Sequence, residues 1–316
     1  MKKSMLLLLL GFSLSAFAIN EDAGTTGFSF LKLNFAARQA AMGYAFTGLA
    51  DDANTVFYNP AGLHRIRNHN ASASYMNYID NTQCGSAVFT HPYDDKTTLA
   101  LFIKGLYTKE DRTVADENGQ YDPAASTGTF GVSDVVLGIA ASHMASDMLD
   151  VGINLKYISE SLDEHGASAV AADIAILHQS TNEHIKVGLT LQNIGTQLTY
   201  YTDDKYKEGL PTTFVGGVSY RFSEKTIALL DVYHPLDQDF SFRMGAEYIA
   251  YPGLMLRAGY KSNADDWKSG GDSEFLSGLS AGAGFAIPRY RMTIDYAAVS
   301  YGDLGLVNQL TLSYQF

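Results

Sequence analysis

Cysteine, tryptophan and proline are scarce in this chain, and beyond its first residues no long apolar run exists. The lone cysteine, Cys84, permits no intramolecular disulfide and cannot build a thiolate metal centre. The lone tryptophan is Trp267. Seven prolines in 316 residues leave most segments free to pair as strands. The one apolar run, Met5 to Phe12, falls well short of the roughly 20 residues that a membrane-spanning helix needs. Basic residues are few: 22 Lys and Arg face 34 Asp and Glu, for a net charge of −12. So acidic a chain is poorly suited to nucleic-acid phosphates or to holding anionic lipid by charge alone. Mean hydropathy is −0.06, far below that of a helical membrane protein.

What is present begins with a leader. Lys2 and Lys3, the apolar stretch and Ala16-Phe17-Ala18 form a basic start, a core and a small-x-small cleavage site. Met1 to Ala18 is therefore expected to be a signal peptide, with the mature chain starting at Ile19. No cysteine follows the site, so nothing indicates a lipid anchor there.

From about His69 to Phe316 the chain alternates apolar and polar residues. Ile153, Leu155 and Tyr157 alternate with Asn154 and Lys156; Phe242, Met244, Ala246 and Tyr248 with Arg243, Gly245 and Glu247; Leu256, Ala258 and Tyr260 with Arg257 and Gly259. The last strand sets Leu310, Leu312, Tyr314 and Phe316 on one face. A two-residue period gives each strand one apolar and one polar face. A closed barrel with lipid outside and a polar or filled lumen accommodates both. About fourteen strands are expected, with roughly 18 residues per strand and connection, enough for the 9–11 residues of a tilted membrane strand. The expected fold is thus an all-β, antiparallel transmembrane barrel. Links after odd-numbered strands read as long (Thr108–Thr127, Ser159–Ser168, Asn193–Pro211, Lys261–Phe275) and those after even-numbered strands as terse. With an even strand number, both chain ends are expected in the periplasm of a Gram-negative-type outer membrane.

Ile19 to Asn68 lacks this alternation and is rich in Ala, Gly and helix-compatible pieces. Glycine recurs on the polar face of the strands, at Gly152, Gly188, Gly217, Gly245 and Gly259, which makes room for something inside. The Ile19–Asn68 segment is the expected filler, a small helical plug, leaving His69–Phe316 as the barrel.

Asp51-Asp52-Ala53-Asn54-Thr55-Val56-Phe57-Tyr58-Asn59-Pro60-Ala61-Gly62 resembles the N-terminal hatch of FadL-type outer-membrane transporters. Ser29-Phe30-Leu31-Lys32-Leu33, with Ala37 to Ala45, resembles more narrowly the PorV/PorQ branch of that superfamily. The strand phrases Gly245-Ala246-Glu247-Tyr248, Arg257-Ala258-Gly259-Tyr260 and Asp295-Tyr296-Ala297 are similar to that branch too. The resemblance covers essentially the whole mature chain. It implies a fourteen-stranded barrel with an inserted hatch, in which Arg38, Met42, Gly43, Asn59, Pro60, Ala61 and Gly62 are the gate candidates. It also implies two functions. One is a non-enzymatic accessory of type IX secretion, partnered by secretion subunits or exported cargo. The other is passage of hydrophobic small molecules such as long-chain fatty acids. The chain is shorter than a full transporter, with modest outer loops.

Ten charged residues fall within strands. A lipid-facing cation near the midplane costs about 2–4 kcal/mol, so the lumen is the expected address of Lys104, Asp134, Lys156, Asp173, Arg221, Asp231, Arg243, Glu247, Arg257 and Asp295. They would either line a polar passage and grip the plug, or close an internal salt-bridge network. Arg38 is the expected plug partner of one inward carboxylate. Asp51-Asp52, Asp203-Asp204 and Asp265-Asp266 with Asp272 and Glu274 match no calcium-loop spacing and read as solvated turns. Gly278-Leu279-Ser280-Ala281-Gly282 has the hydrolase-elbow spacing but lacks the helix that motif requires. The histidines show no metal-ligand spacing. No cofactor is expected. Tyr78, Tyr107, Tyr157, Tyr233, Tyr251, Tyr260, Tyr301 and Tyr314 fall near strand ends and suggest an interfacial girdle. The leading function is the PorV/PorQ-type accessory; hydrophobic transport is the alternative, and a membrane lipid hydrolase using Ser280 ranks third.

Overall fold

The computed structural model describes residues 25–115, 120–262 and 276–316. The expected signal peptide, Trp267, most of the Lys261–Phe275 link and its acids Asp265, Asp266, Asp272 and Glu274 lie outside the described residues.

Fourteen antiparallel strands form one closed barrel. They are β1 (Asn70–Asn77), β2 (Gln83–Pro92), β3 (Thr97–Ala115), β4 (Tyr121–Ser146), β5 (Leu149–Leu162), β6 (His165–Gln179), β7 (Ile185–Thr199), β8 (Thr213–Ser223), β9 (Thr226–Pro235), β10 (Ser241–Tyr251), β11 (Leu254–Lys261), β12 (Leu279–Ile287), β13 (Met292–Ser300) and β14 (Leu306–Gln315). Each pairs with its sequence neighbours, and β1 closes on β14 from Asn70 opposite Gln315 to Asn77 opposite Asn308. Closure satisfies every ladder within the sheet and leaves no edge, the condition for strands in hydrocarbon.

Alternation along the strands translates directly into two faces. On β5, Ile153, Leu155 and Tyr157 are exposed outward while Asn154 and Ile158 are fully buried inside. On β10, Phe242 and Met244 point out while Arg243 and Gly245 point in. The outer wall is accordingly a continuous apolar belt suited to acyl chains.

Two of the expected long links are not loops. β3 and β4 continue as a paired hairpin to Ala115 and Tyr121, and β5 and β6 meet at a two-residue turn after Leu162. β7 likewise runs on to Thr199. Beyond the membrane both faces meet water, so apolar alternation fades while backbone pairing persists. The girdle needs correction as well. Tyr107, Tyr157, Tyr251, Tyr260 and Tyr314 are exposed on the outside, but Tyr233 and Tyr301 are buried, and half-buried Tyr78 packs edge-on against Tyr301.

The segment preceding β1 is almost wholly buried. Its described residues hold one α-helical turn, α1 (Ala37–Ala41), and 3-10 turns at Ser29–Lys32, Ala53–Phe57 and Pro60–Arg65. Its side chains and backbone reach inward-facing residues of strands all round the barrel, from Ser72 on β1 to Thr311 on β14. Only the interior of a closed barrel touches all of those strands at once.

Candidate functional site

The site is the contact between the Phe28–Ile66 segment and the inner wall. Glycines on the inner wall permit the approach. A Cβ on Gly259 would stand 2.0 Å from the backbone nitrogen of Gly43, and one on Gly188 would stand 2.0 Å from the Thr47 carbonyl oxygen. Gly152 faces Pro60 and Ala61 in the same way, Gly245 faces Met42, and Gly217 faces Thr47 and Asp231. Gly43 itself has φ +63° and lies against the backbone of Tyr260, so it needs both glycine's conformational freedom and its lack of a side chain.

Wall side chains then satisfy the segment's main chain. Thr311 accepts from the Ala37 amide at 2.8 Å, and Ser280 from Gly43 at 3.1 Å. One oxygen of Asp231 accepts from both Phe46 and Thr47, at 3.0 and 2.9 Å. Ser219 donates to the Gly48 carbonyl, Asn154 to Val56, Gln192 to Tyr58 and Ser142 to Ala61. Lys104 donates from one ammonium to the carbonyls of Leu31 and Leu33, both at 2.9 Å. Irregular backbone at membrane depth depends on such partners, since each unmatched buried polar group costs on the order of 1–3 kcal/mol.

Asn59 is the pivot of the Asn-Pro-Ala-Gly turn. Its side-chain oxygen accepts from the Ala61 amide, capping the 3-10 turn that Pro60 starts. Its side-chain nitrogen donates to the Thr47 carbonyl within the segment at 2.8 Å and to the Ile176 carbonyl on β6 at 3.1 Å. Gly62 packs so close to Ala50 that a Cβ would lie 2.1 Å from its carbonyl oxygen.

Charged residues form two networks. In the first, Arg38 makes a two-pronged pair with Glu247 (3.0 Å on each prong) and also reaches Asp51 (2.7 Å) and Asp52 (3.0 Å). Glu247 is shared with Arg257 at 2.6 Å, and Arg257 continues to Asp295 at 2.7 Å. Arg38 thus meets Glu247, and Asp51-Asp52 is a half-buried acceptor for Arg38 rather than the expected solvated turn. Burial raises the Asp52 carboxyl to about 6; Arg38 pulls it down, but Asp51 shares that cation and repels it. In the second network, Lys156 bridges Asp173 (2.6 Å) and Asn193 (2.5 Å), and Asn154 joins the same carboxylate.

Three expected lumen charges stand apart. Arg221 is exposed at the end of β8, beside the bulge before Ser223, and joins neither network. Asp134 is half-buried opposite Glu160. Arg243 lies over the Tyr233 ring, with its guanidinium carbon 3.4 Å from the ring centre. The Ser280 hydroxyl is taken by the Gly43 amide and sits on a strand, which removes the elbow geometry from the Gly278–Gly282 motif. Among the described residues no group of three or more His, Cys, Asp and Glu is arranged to hold a metal ion.

A feature the sequence reading missed is a large apolar cluster inside the barrel. Val88, Ala100, Phe102, Val136, Ala140, Ile158, Ala167, Ala169 and Ala171, on β2 to β6, pack against Phe28, Phe30, Leu31, Val56, Leu63 and Ile66 of the segment. Its signal was the unbroken apolar runs Leu99–Ile103 and Val135–Leu137, where strict alternation lapses.

This architecture, fourteen antiparallel strands closed on themselves, is the fold of FadL-type outer-membrane barrels. The structure is similar to the Ralstonia pickettii toluene transporter TbuX, with a TM-score of 0.60 and 12% identity over 90% of this chain and 98% of that one. It is also similar to a TodX variant described as a monoaromatic hydrocarbon channel (TM-score 0.64, 11% identity, 90% and 99% covered). A Pseudomonas aeruginosa FadL homologue matches with TM-score 0.59 and 11% identity, covering 93% of this chain and all of that one. No family model and no curated protein sequence matches the chain.

Proposed function

We propose that this chain is an outer-membrane barrel that passes hydrophobic small molecules, with the Ile19–Asn68 segment as its hatch and both chain ends in the periplasm. The observation that carries this reading is the apolar cluster inside β2 to β6. Among the described residues its covering is mostly the segment's own Phe28, Phe30, Leu31, Ala53, Val56, Phe57, Leu63 and Ile66, with Leu210 and Tyr201 beside them. A purely structural polar lumen has no use for such a lining. Withdrawal of the segment would offer an apolar guest the same surface, worth about 0.8 kcal/mol per buried methylene. The likeness in fold to a toluene transporter and an aromatic-hydrocarbon channel supports the same reading. In this role Arg38, Met42, Gly43 and Asn59 to Gly62 hold the closed position. The lumen charges grip the segment instead of conducting ions, and no step needs an enzyme.

The test is uptake of labelled long-chain fatty acid and of toluene by cells stripped of their own importers, with and without this protein. Faster uptake of either, raised further by Arg38→Ala, is the expected result. Uptake equal to that of empty cells for both probes would end the transport reading.

A PorV/PorQ-type role in type IX secretion is the second reading. It is favoured by the Ser29–Ala45 phrase and by the extent of charge pairing that seals the lumen. Here deletion from the native cell should change the set of exported and surface-held proteins, and the purified barrel should carry secretion subunits or cargo. An unchanged secretome counts against it.

A further inference from the structure

Two histidines face each other on the outside of the barrel. His69 precedes β1 and His91 lies near the end of β2, one position beyond the Asn70–Thr90 pair that ends the β1–β2 register. Both side chains are exposed, and their Nδ1 atoms stand 3.2 Å apart. Sequence spacing hides the pair, because 22 positions and a hairpin separate its members. Strand pairing alone brings them together. The His69 ring lies nearly parallel to that of Phe89, with ring centres 6.2 Å apart, and Phe89 meets Phe316 edge-on. The His69 carbonyl accepts from the Phe316 amide at 3.0 Å. Ring and backbone of His69 are thus both held in place by neighbours.

Two imidazole nitrogens bound to one divalent ion at about 2.0–2.1 Å stand roughly 2.9–3.4 Å apart, depending on the angle at the ion. The observed 3.2 Å lies within that interval. The ring centres add direction. A head-on hydrogen bond of this length between two imidazoles would put the centres about 5.5 Å apart. They are 4.8 Å apart, with the planes inclined at 34°. Each ring is therefore turned off the line joining the two nitrogens, as rings are that share an ion lying to one side of that line. Charges beside the pair balance. Asp94 and Asp95 on the β2–β3 turn are matched by Lys96 and by Arg67, whose guanidinium bonds the Asp95 carbonyl and reaches His64. His143 and His184 each have Nδ1 on another partner, the Thr97 hydroxyl and the Arg221 carbonyl.

We propose that His69 and His91 form a binding site for one divalent transition-metal ion of the kind that imidazole favours, Cu²⁺ foremost, ligated by both Nδ1 atoms with water in the remaining positions. Between themselves, one Nδ1 donates to the other. When an ion binds, that proton moves to Nε2 of the same ring, and two neutral imidazoles become the ligands. Nitrogen sites rank Cu²⁺ above Ni²⁺ and Zn²⁺. Calcium and magnesium ions require oxygen ligands, and among the described residues no group of three or more His, Cys, Asp and Glu is arranged to add carboxylates to the pair. A bound ion would staple β1 to β2 beside the seam where β1 meets β14. It would do so from outside the barrel, independently of the inserted segment and of whatever the barrel passes.

The experiment is titration of the purified, detergent-solubilised barrel with Cu²⁺, followed by electron paramagnetic resonance. The wild type is expected to take up one ion with hyperfine coupling to two imidazole nitrogens, and its thermal midpoint should rise as Cu²⁺ is added. His69→Phe and His91→Phe should each lose both the two-nitrogen signal and the rise. Should a phenylalanine variant fail to fold, His91→Gln keeps a polar side chain at the same exposed position and should lose them as well. A single-nitrogen signal in the wild type, or none, overturns the proposal. So does a variant that keeps the wild-type signal, which would put the ion on other histidines, or a midpoint that rises equally in wild type and variants.

Discussion

Replacing Gly259 by alanine adds one methyl group, yet it should be among the most damaging small substitutions in the barrel. Its Cβ would meet the Gly43 nitrogen at 2.0 Å and the Met42 carbonyl carbon at 2.3 Å. Both are main-chain atoms of the inserted segment, so no flexible side chain can swing aside. Gly43 is further fixed by its positive φ and by the Ser280 bond to its amide. Overpacking of this kind costs about 1–3 kcal/mol, and rigid neighbours place it near 3. The control is Gly85→Ala on the outer face of β2, where the nearest atom is the Ser74 carbonyl oxygen at 3.4 Å, an ordinary contact. Urea unfolding of the detergent-solubilised barrel should show a lower midpoint for Gly259→Ala and for Gly188→Ala, and little change for Gly85→Ala. Trypsin should cut after Arg38 or Lys32 faster in the first two variants, because the displaced segment exposes them. If all three variants unfold and digest alike, the segment does not lie against the wall and the argument from inward glycines collapses.

Three further outcomes are expected. The folded protein keeps the Asp52 proton up to about pH 6, while the unfolded chain, with a carboxyl near 3.8, releases it earlier. This group's contribution to stability is therefore greatest below about pH 4 and declines as the pH rises toward about 6; Asp52→Asn should remove that slope from denaturation midpoints measured across the range. Lys104→Met strands two buried carbonyls, Leu31 and Leu33, and should cost about 1–3 kcal/mol in chemical unfolding, with faster hydrogen exchange around Leu31. Ser280→Ala removes one bond to the Gly43 amide, for a loss of about 1 kcal/mol, and should not alter ester hydrolysis by the preparation; a loss of such activity would revive a hydrolase.

Strand number and the apolar outward side were legible in the sequence. Period-two alternation is a local property, and a bilayer demands the same apolar face of every strand. The inward glycines announced a close-packed occupant for the same local reason. Less legible were the hairpins β3–β4 and β5–β6, whose outer parts face water on both sides and so lose the pattern while keeping their pairing. The sequence placed Arg221 in the lumen by parity, but parity does not report that a residue sits at the rim. Tyr233 and Tyr301 read as girdle residues by their strand-end positions, yet they face inward.

By itself, then, the sequence determined a fourteen-stranded wall with an outward apolar belt, because those features repeat every second residue. Which groups meet across the lumen was decided only by closure. Arg38 and Glu247 are 209 positions apart, and nothing local selects Glu247 over Asp173 or Asp295 as the partner. Register, barrel curvature and the path of the inserted segment fix that choice together. They also set Arg243 over the Tyr233 ring while the carboxylate opposite it, Asp231, serves the segment's backbone.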